Sequence, residues 1–294
     1  MGSIAYLDGR YLPRQDARIS VDDRGFLFGD GVYEVVRVRD GIVIEMDRHL
    51  SRMARGLGAL SLAFDPAPFR EISDRLVGDN DLRRGEALVY WQVTRGAAAS
   101  RTHQFPPPGT PVTVFASATA FSPPEAQRTQ GVRVILVPDQ RWSRCDLKTI
   151  NLLPNVMAKQ RAIAAGVWEA IQVRDGAVTE GASTYVFGVL DGVIRTYPRS
   201  PYILPGVTRD VVVELAIAIG LAVSEEPLFV DDLPWLSECF LTGTTNDVMP
   251  VTEIDGRRVG LGRPGPIAAR LYGALMARWR EHEPSAATPR GAGE

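Results

Sequence analysis

Residues 141–186 read RWSRCDLKTINLLPNVMAKQRAIAAGVWEAIQVRDGAVTEGASTYV, and one side chain in this stretch, Lys148, sets the reading of the rest. Lys148 and Lys159 are the only lysines among the 33 Lys and Arg residues of the chain. Arginine is used nearly everywhere a plain positive charge suffices. A guanidinium stays protonated, whereas a desolvated lysine can release its proton and attack a carbonyl. A retained lysine is therefore either a remnant of an Arg-biased composition or an amine kept for chemistry, and context separates the two. Lys159 sits in LLPNVMAKQRAIAAG, where Leu152, Val156, Lys159 and Ile163 follow a period of about 3.6 and Gly166 makes a stop. It reads as the rim of an amphipathic helix. Lys148 precedes that helix and follows the run VRVILVPD, where a strand or strand end is expected to hold it.

The second signal is Glu180. AIQVRDGAVTEGASTYVFGVLDGVIRTY reads as strands broken by the turns Asp175-Gly176 and Asp191-Gly192. Glu180 falls in mid-ladder after Val178, and Gly181 lets another group approach the backbone. A glutamate on a half-buried strand ordinarily faces solvent, so a functional role for it rests on its companions.

At 294 residues, with 45% hydrophobic and 23% charged residues and a net charge of −2, the chain reads as a soluble globular protein of two domains or one large one. That charge does not favour nucleic acid or an anionic membrane as the main partner. Cys145 and Cys239 have neither metal-ligand spacing nor the numbers of a disulfide framework, so they read as reduced thiols and no metal site is expected. No basic and apolar leader opens the chain and no apolar run reaches about 18 residues; the expectation is a cytoplasmic protein.

Upstream, Asp8-Gly9 and Asp40-Gly41 mark hairpins. In DRGFLFGDGVYEVVRV the glycines lack a dinucleotide fingerprint. Tyr33 stands in a strand alternation as a core residue or an active-site hydroxyl. Arg52 belongs to a helix starting near Asp47, either exposed or binding phosphate. The loop AAASRTHQFPPPGT carries Arg101 and His103, which are solvated or grip a carboxylate. A composition shift at Ser122-Pro123-Pro124 sets the domain organisation: a smaller domain over 1–120, a linker over 121–125, a larger domain over 126–283 and an unstructured tail over 284–294. Thr208 suits a helix N-cap after Gly206 and Val207, and Gly243-Thr244-Thr245 ends a strand. Each is an anion cup or ordinary turn chemistry.

A reactive lysine, a carboxylate on a strand, two anion cups and a cationic loop match what pyridoxal 5′-phosphate requires: an amine for its aldehyde, an anion beside its ring nitrogen and donors for its phosphate. Through DRGFLFGDGVYEVV, VTRG with RTHQFP, RCDLKTINLLPNVMAKQ, VTEGASTYVFG, ILPGVTRD and FLTGTTNDVMPV, the chain resembles the class IV aminotransferases. These are the fold-type-IV pyridoxal-phosphate enzymes, and the likeness is greatest to their D-amino-acid members, over about residues 4 to 280. The resemblance implies an α+β fold of two domains, a smaller α/β N-terminal one and a larger, β-barrel-like one flanked by helices that binds the cofactor. It implies a homodimer that moves amino groups between D-amino acids, such as D-alanine or D-glutamate, and 2-oxo acids. Branched-chain L-amino-acid transfer, R-amine transfer and aminodeoxychorismate lysis on the same scaffold are the alternatives, and a non-catalytic cofactor carrier is a further one.

Carried over position by position, the resemblance makes Lys148 the Schiff-base lysine and proton shuttle and sets Glu180 against the ring nitrogen. Arg52, Val207, Thr208, Gly243 and Thr244 fall at the phosphate positions, and Leu204 braces the ring. Tyr33, Arg101 and His103 form the trap for the substrate carboxylate, completed across the dimer interface. Three departures stand out: Gly243 where a hydroxyl residue is usual, Tyr185 in place of the Asn of the E-G-x-x-x-N block, and an inserted residue before Arg101.

Overall fold

The structure is a computed structural model that describes residues 3–280; the tail expected over 284–294 lies outside them. The first half of the chain runs β1 (Ile4–Leu7), β2 (Arg10–Pro13), α1 (Arg24–Phe28), β3 (Gly31–Arg39), β4 (Ile42–Val43), α2 (Met46–Ala59), α3 (Phe69–Asp79), β5 (Glu86–Thr94) and β6 (Thr113–Ala120). Its strands form one antiparallel sheet in the order β2-β1-β6-β5-β3-β4. Helix α2 buries Met46, His49, Met53, Gly56 and Leu57, the i, i+3, i+7 stripe that a core-facing helix requires. In the core below α3, Phe69 stacks on Trp91 with centroids 5.0 Å apart, and the indole N–H of Trp91 donates to Ser73 at 2.9 Å. The aromatic pair adds packing energy and the hydrogen bond satisfies the one buried polar atom it brings.

The second half runs α4 (Glu125–Gln130), β7 (Val132–Pro138), α5 (Leu153–Ala164), β8 (Glu169–Arg174), β9 (Ala177–Gly181), β10 (Tyr185–Leu190), β11 (Val193–Thr196), α6 (Val207–Ala218), β12 (Val223–Ser224), β13 (Leu228–Phe229), β14 (Glu238–Gly243), β15 (Asp247–Ile254), β16 (Arg257–Arg258) and α7 (Pro266–Arg280). These strands make a second sheet in the order β12-β11-β10-β14-β15-β7-β8-β9-β13, with β16 beside β15. From β10 to β9 along the sheet there are five steps, about 24 Å. The direct connection through Ala182–Thr184 spans at most about 14 Å. The sheet must therefore curl on itself, and Gly181 N–H closes the short arc by donating to Thr184 O at 2.7 Å. Helices α6 and α7 cover one face, over Phe187, Phe240 and Val248.

The four Asp-Gly pairs expected as turns do connect β1 to β2, β3 to β4, β8 to β9 and β10 to β11, each with both residues at positive φ. That is the backbone of a two-residue hairpin loop, which Asp and Gly adopt at little strain. Two readings need correction. Lys148 is not on a strand: it lies in an irregular segment between β7 and α5. Helix α5 buries only Ala158 and Ala162, while Leu153, Val156, Met157 and Ile163 are exposed. Its apolar stripe points away from this chain's own core. No described helix is long and apolar enough to cross a membrane.

Candidate active site

The two sheets meet where the Lys148 segment docks on β3. Tyr33 N–H donates to Lys148 C=O at 3.0 Å and Ile150 N–H to Gly31 C=O at 3.1 Å. These flank an isolated antiparallel bridge between Val32 and Thr149. A Cβ at Gly31 would lie 2.6 Å from Val93 O and 3.2 Å from Ile150 Cδ1, so glycine is what lets the segment come this close. The docking sets Lys148 Nζ 4.2 Å from the centroid of the Tyr33 ring.

Glu180 is buried at the end of β9. Arg141 Nη1 donates to its Oε1, and the Leu204 N–H donates to Oε2 at 3.1 Å. Arg141 is itself fixed by Asp139 at 2.8 Å and by the carbonyl of Tyr202 at 3.0 Å. Burial raises the Glu180 carboxyl above the ordinary carboxylate value, with Arg141 and the Leu204 N–H opposing it. At Asp139 burial also acts upward, but the Arg141 contacts outweigh it and the group is held low.

Arg52, on the inner face of α2, is clamped by Glu34 of β3: Nε to Oε1 and Nη2 to Oε2, both at 2.7 Å. Its Nη1 donates to Pro205 O at 3.1 Å. Burial would lift the Glu34 carboxyl, yet the Arg52 charge and the hydrogen bonds from Arg52 and His49 hold it far below the usual range. A group depressed in this way stabilises the fold above its unfolded value of about 4.3 and loses that contribution as pH falls through the acid range. Glu34→Gln is expected to cost about 3–5 kcal/mol at neutral pH, because it leaves Arg52 buried and unpaired. Urea midpoints at pH 7 and pH 3 should show a smaller gap between variant and parent at the lower pH; an equal gap at both would contradict the pairing.

Lys148, Glu180, Arg52, Tyr33, Leu204, Val207, Thr208, Gly243 and Thr244 all line one cavity of about 630 Å³. The N-cap of α6 is Gly206, not Thr208, and no side chain caps it. The ring of Tyr185 lies across Gly206; the helix starts at Val207, and its first N–H groups, those of Val207 and Thr208 on the cavity wall among them, have no intrahelical acceptors. A Cβ added at Gly243 would meet Asn246 Nδ2 and Ser183 O at ordinary contact distance, 3.6 Å.

Arg101 and His103 are exposed and do not line this cavity. Both lie on Phe28, with the Arg101 guanidinium carbon 5.0 Å and the His103 ring 5.7 Å from its centroid. Arg24 holds their loop by donating to the carbonyls of Thr102 at 2.8 Å and Gln104 at 3.2 Å. Sequence reasoning missed Arg141 and Glu34, the residues that fix Glu180 and Arg52. The one available signal for Glu34 was a charged residue inside the apolar alternation VYEVV, where burial demands a partner.

Known proteins share the chain's sequence pattern and its fold. The family profile for amino-transferase class IV matches residues 31–254. A D-alanine aminotransferase of Bacillus licheniformis is 41% identical over 271 residues, covering 92% of this chain and 94% of the relative. One of Staphylococcus epidermidis is 38% identical over 268 residues, covering 90% and 94%. Among solved structures, a T.th. branched-chain amino acid aminotransferase complexed with N-(5′-phosphopyridoxyl)-L-glutamate superposes with a TM-score of 0.86 at 28% identity, covering 97% of this chain and 96% of that one. With its fold, its cavity and about three quarters of its length inside the family's pattern, the chain belongs to the class IV aminotransferases.

Proposed function

We propose that this chain transfers amino groups between D-amino acids, such as D-alanine and D-glutamate, and 2-oxo acids, with pyridoxal 5′-phosphate as cofactor. The observation that carries the reading is the sharing of one cavity by Lys148, Glu180 and the uncapped N-terminus of α6. An amine, a fixed carboxylate and free anion donors are what the cofactor's aldehyde, ring nitrogen and phosphate each need. The residues fit the group: the phosphate would be held by the Val207 and Thr208 N–H groups, Thr244 and the N–H groups of Arg52 not taken by Glu34. Leu204 would brace the ring. Its backbone N–H already orients Glu180.

When bound, the cofactor supplies an electron sink for the pair left behind as the substrate loses its α-proton. Lys148 would hold the cofactor through its aldehyde carbon and, once displaced by an incoming amine, carry the proton between the substrate α-carbon and the cofactor. Glu180 would keep a proton on the ring nitrogen through the charge of its carboxylate, which Arg141 and the Leu204 N–H favour against the upward push of burial. Arg141 and the Leu204 N–H keep that carboxylate aimed.

We infer a homodimer in which Arg101 and His103 of a second copy reach the substrate carboxylate beside Tyr33. Supporting this, Arg101 and His103 stand outside their own chain's cavity, and exposed apolar residues, Phe26 and Phe105 on one half and Leu153, Val156 and Met157 on the other, offer a surface to be covered. The organisation into domains over 1–120 and 126–283, joined at 121–125, belongs to the same proposal. The choice of D-amino acids draws support from the two D-alanine aminotransferases aligned along nine tenths of the chain.

A single half-reaction tests it. The protein loaded with pyridoxal 5′-phosphate is mixed with D-alanine or L-alanine alone, and the absorbance is followed. Conversion to the amine form of the cofactor by D-alanine only is expected. Conversion by L-alanine only would favour the branched-chain L-amino-acid alternative, and conversion by neither would contradict transamination of alanine.

A further inference from the structure

Tyr185 has no part in the chemistry above, yet it stands on the cavity wall. On β10 it pairs across the ladder with Thr242 of β14, one residue before Gly243. It is 9% exposed, and its phenol oxygen makes no hydrogen bond among the described residues. The ring is laid over the N-cap of α6: a Cβ on Gly206 would lie 2.2 Å from Tyr185 Cζ and 2.7 Å from its Oη. The phenol oxygen is thereby held at the point where the unclaimed N–H groups of α6 begin. Arg52 borders the same corner through its bond to Pro205 O, the residue before Gly206. Burial raises the phenol far above its ordinary value, with the Arg52 charge opposing, so Oη keeps its proton and is available as a donor.

The hydroxyl is not sealed in the interior: it opens on the cavity with no protein partner among the described residues, and it is placed beside a helix terminus that attracts anions. Gly243, one residue beyond the ladder partner of Tyr185, brings no side chain to this part of the cavity.

We propose that Tyr185 is a further cofactor-binding residue, its phenol O–H donating to the phosphate end of pyridoxal 5′-phosphate seated at the N-terminus of α6, in place of the hydroxyl that Gly243 does not bring. The inference rests on the cofactor reading above. It also accounts for Gly206: the phenol occupies the space a side chain there would need.

Tyr185→Phe removes the O–H and keeps the ring that packs on Gly206. Dissociation constants of pyridoxal 5′-phosphate and of pyridoxal, which lacks the phosphate, are measured on apoprotein of parent and variant by quenching of tryptophan fluorescence. The expected result is a rise of about ten- to a hundredfold in the constant for pyridoxal 5′-phosphate, as for loss of a hydrogen bond to a charged group, with pyridoxal unchanged. Unchanged pyridoxal binding also shows that the variant is folded. An unaltered constant for pyridoxal 5′-phosphate, or equal weakening of both ligands, would overturn the assignment and leave the cofactor reading standing. Failure of the parent protein to bind pyridoxal 5′-phosphate would overturn that reading and this inference with it.

Discussion

Lys148→Ala is expected to lower transamination by at least about 10³-fold, the scale set by loss of a positioned proton carrier; removal of the covalent hold on the cofactor adds to it. The other lysine on the cavity wall cannot substitute. Lys159 Nζ donates to Trp168 O and pairs with Glu169 at 3.6 Å, on helix α5. Lys148, by contrast, is delivered by two backbone hydrogen bonds to β3 that involve its own carbonyl and the N–H of Ile150. Those bonds do not depend on the side chain, so the alanine variant should fold as the parent does, and its urea midpoint should move by less than about 0.5 kcal/mol in free energy. A variant that retains parental activity would remove Lys148 from the chemistry.

The second large effect is at Glu180. Glu180→Gln keeps shape and an acceptor for the Leu204 N–H, but it abolishes the charge that would hold a proton on the ring nitrogen. A drop in turnover of about 10²–10³-fold is expected, comparable with the loss of one preorganised electrostatic partner in an active site. The variant also leaves Arg141 with Asp139 as its one remaining carboxylate partner among the described residues, so some loss of stability accompanies it. Rates are therefore compared at a temperature where both proteins are folded. Turnover equal to the parent's would show that Glu180 only anchors Arg141.

Which parts of this were legible in the sequence follows the distance over which each cause acts. Asp-Gly pairs fix a hairpin through two residues' backbone preferences, and all four expected turns are present. The scarcity of lysine narrowed the choice to Lys148 and Lys159, and their sequence context separated the two without any knowledge of the fold. The α-helix of Arg52 was readable from its periodicity, but its partner Glu34 lies 18 residues away, Arg141 lies 39 from Glu180, and Arg37 reaches Asp247 across 210. Such pairs are set by how elements distant in the chain pack against one another, which no local pattern records.

Two local readings failed for identifiable reasons. Thr208 has the chemistry of an N-cap, yet the helix begins earlier, at Val207, with the Tyr185 ring over Gly206. Lys148 follows a strand, but β7 ends at Pro138, and the chain then runs through an irregular segment with a turn, Leu147 N–H donating to Arg144 O, before reaching it. The outward apolar face of α5 and the loop of Arg101 and His103 share a third cause: a second chain decides their surroundings in the arrangement proposed here.

In the function proposed here one amine, at position 148, would hold the cofactor. Reduction of the loaded protein with borohydride locks the bond between amine and cofactor, and digestion followed by mass spectrometry locates it. Of the two lysines, Lys148 and Lys159, the account predicts the phosphopyridoxyl mass on Lys148 alone; finding it on Lys159, or on any other amine with Lys148 unmodified, would contradict it.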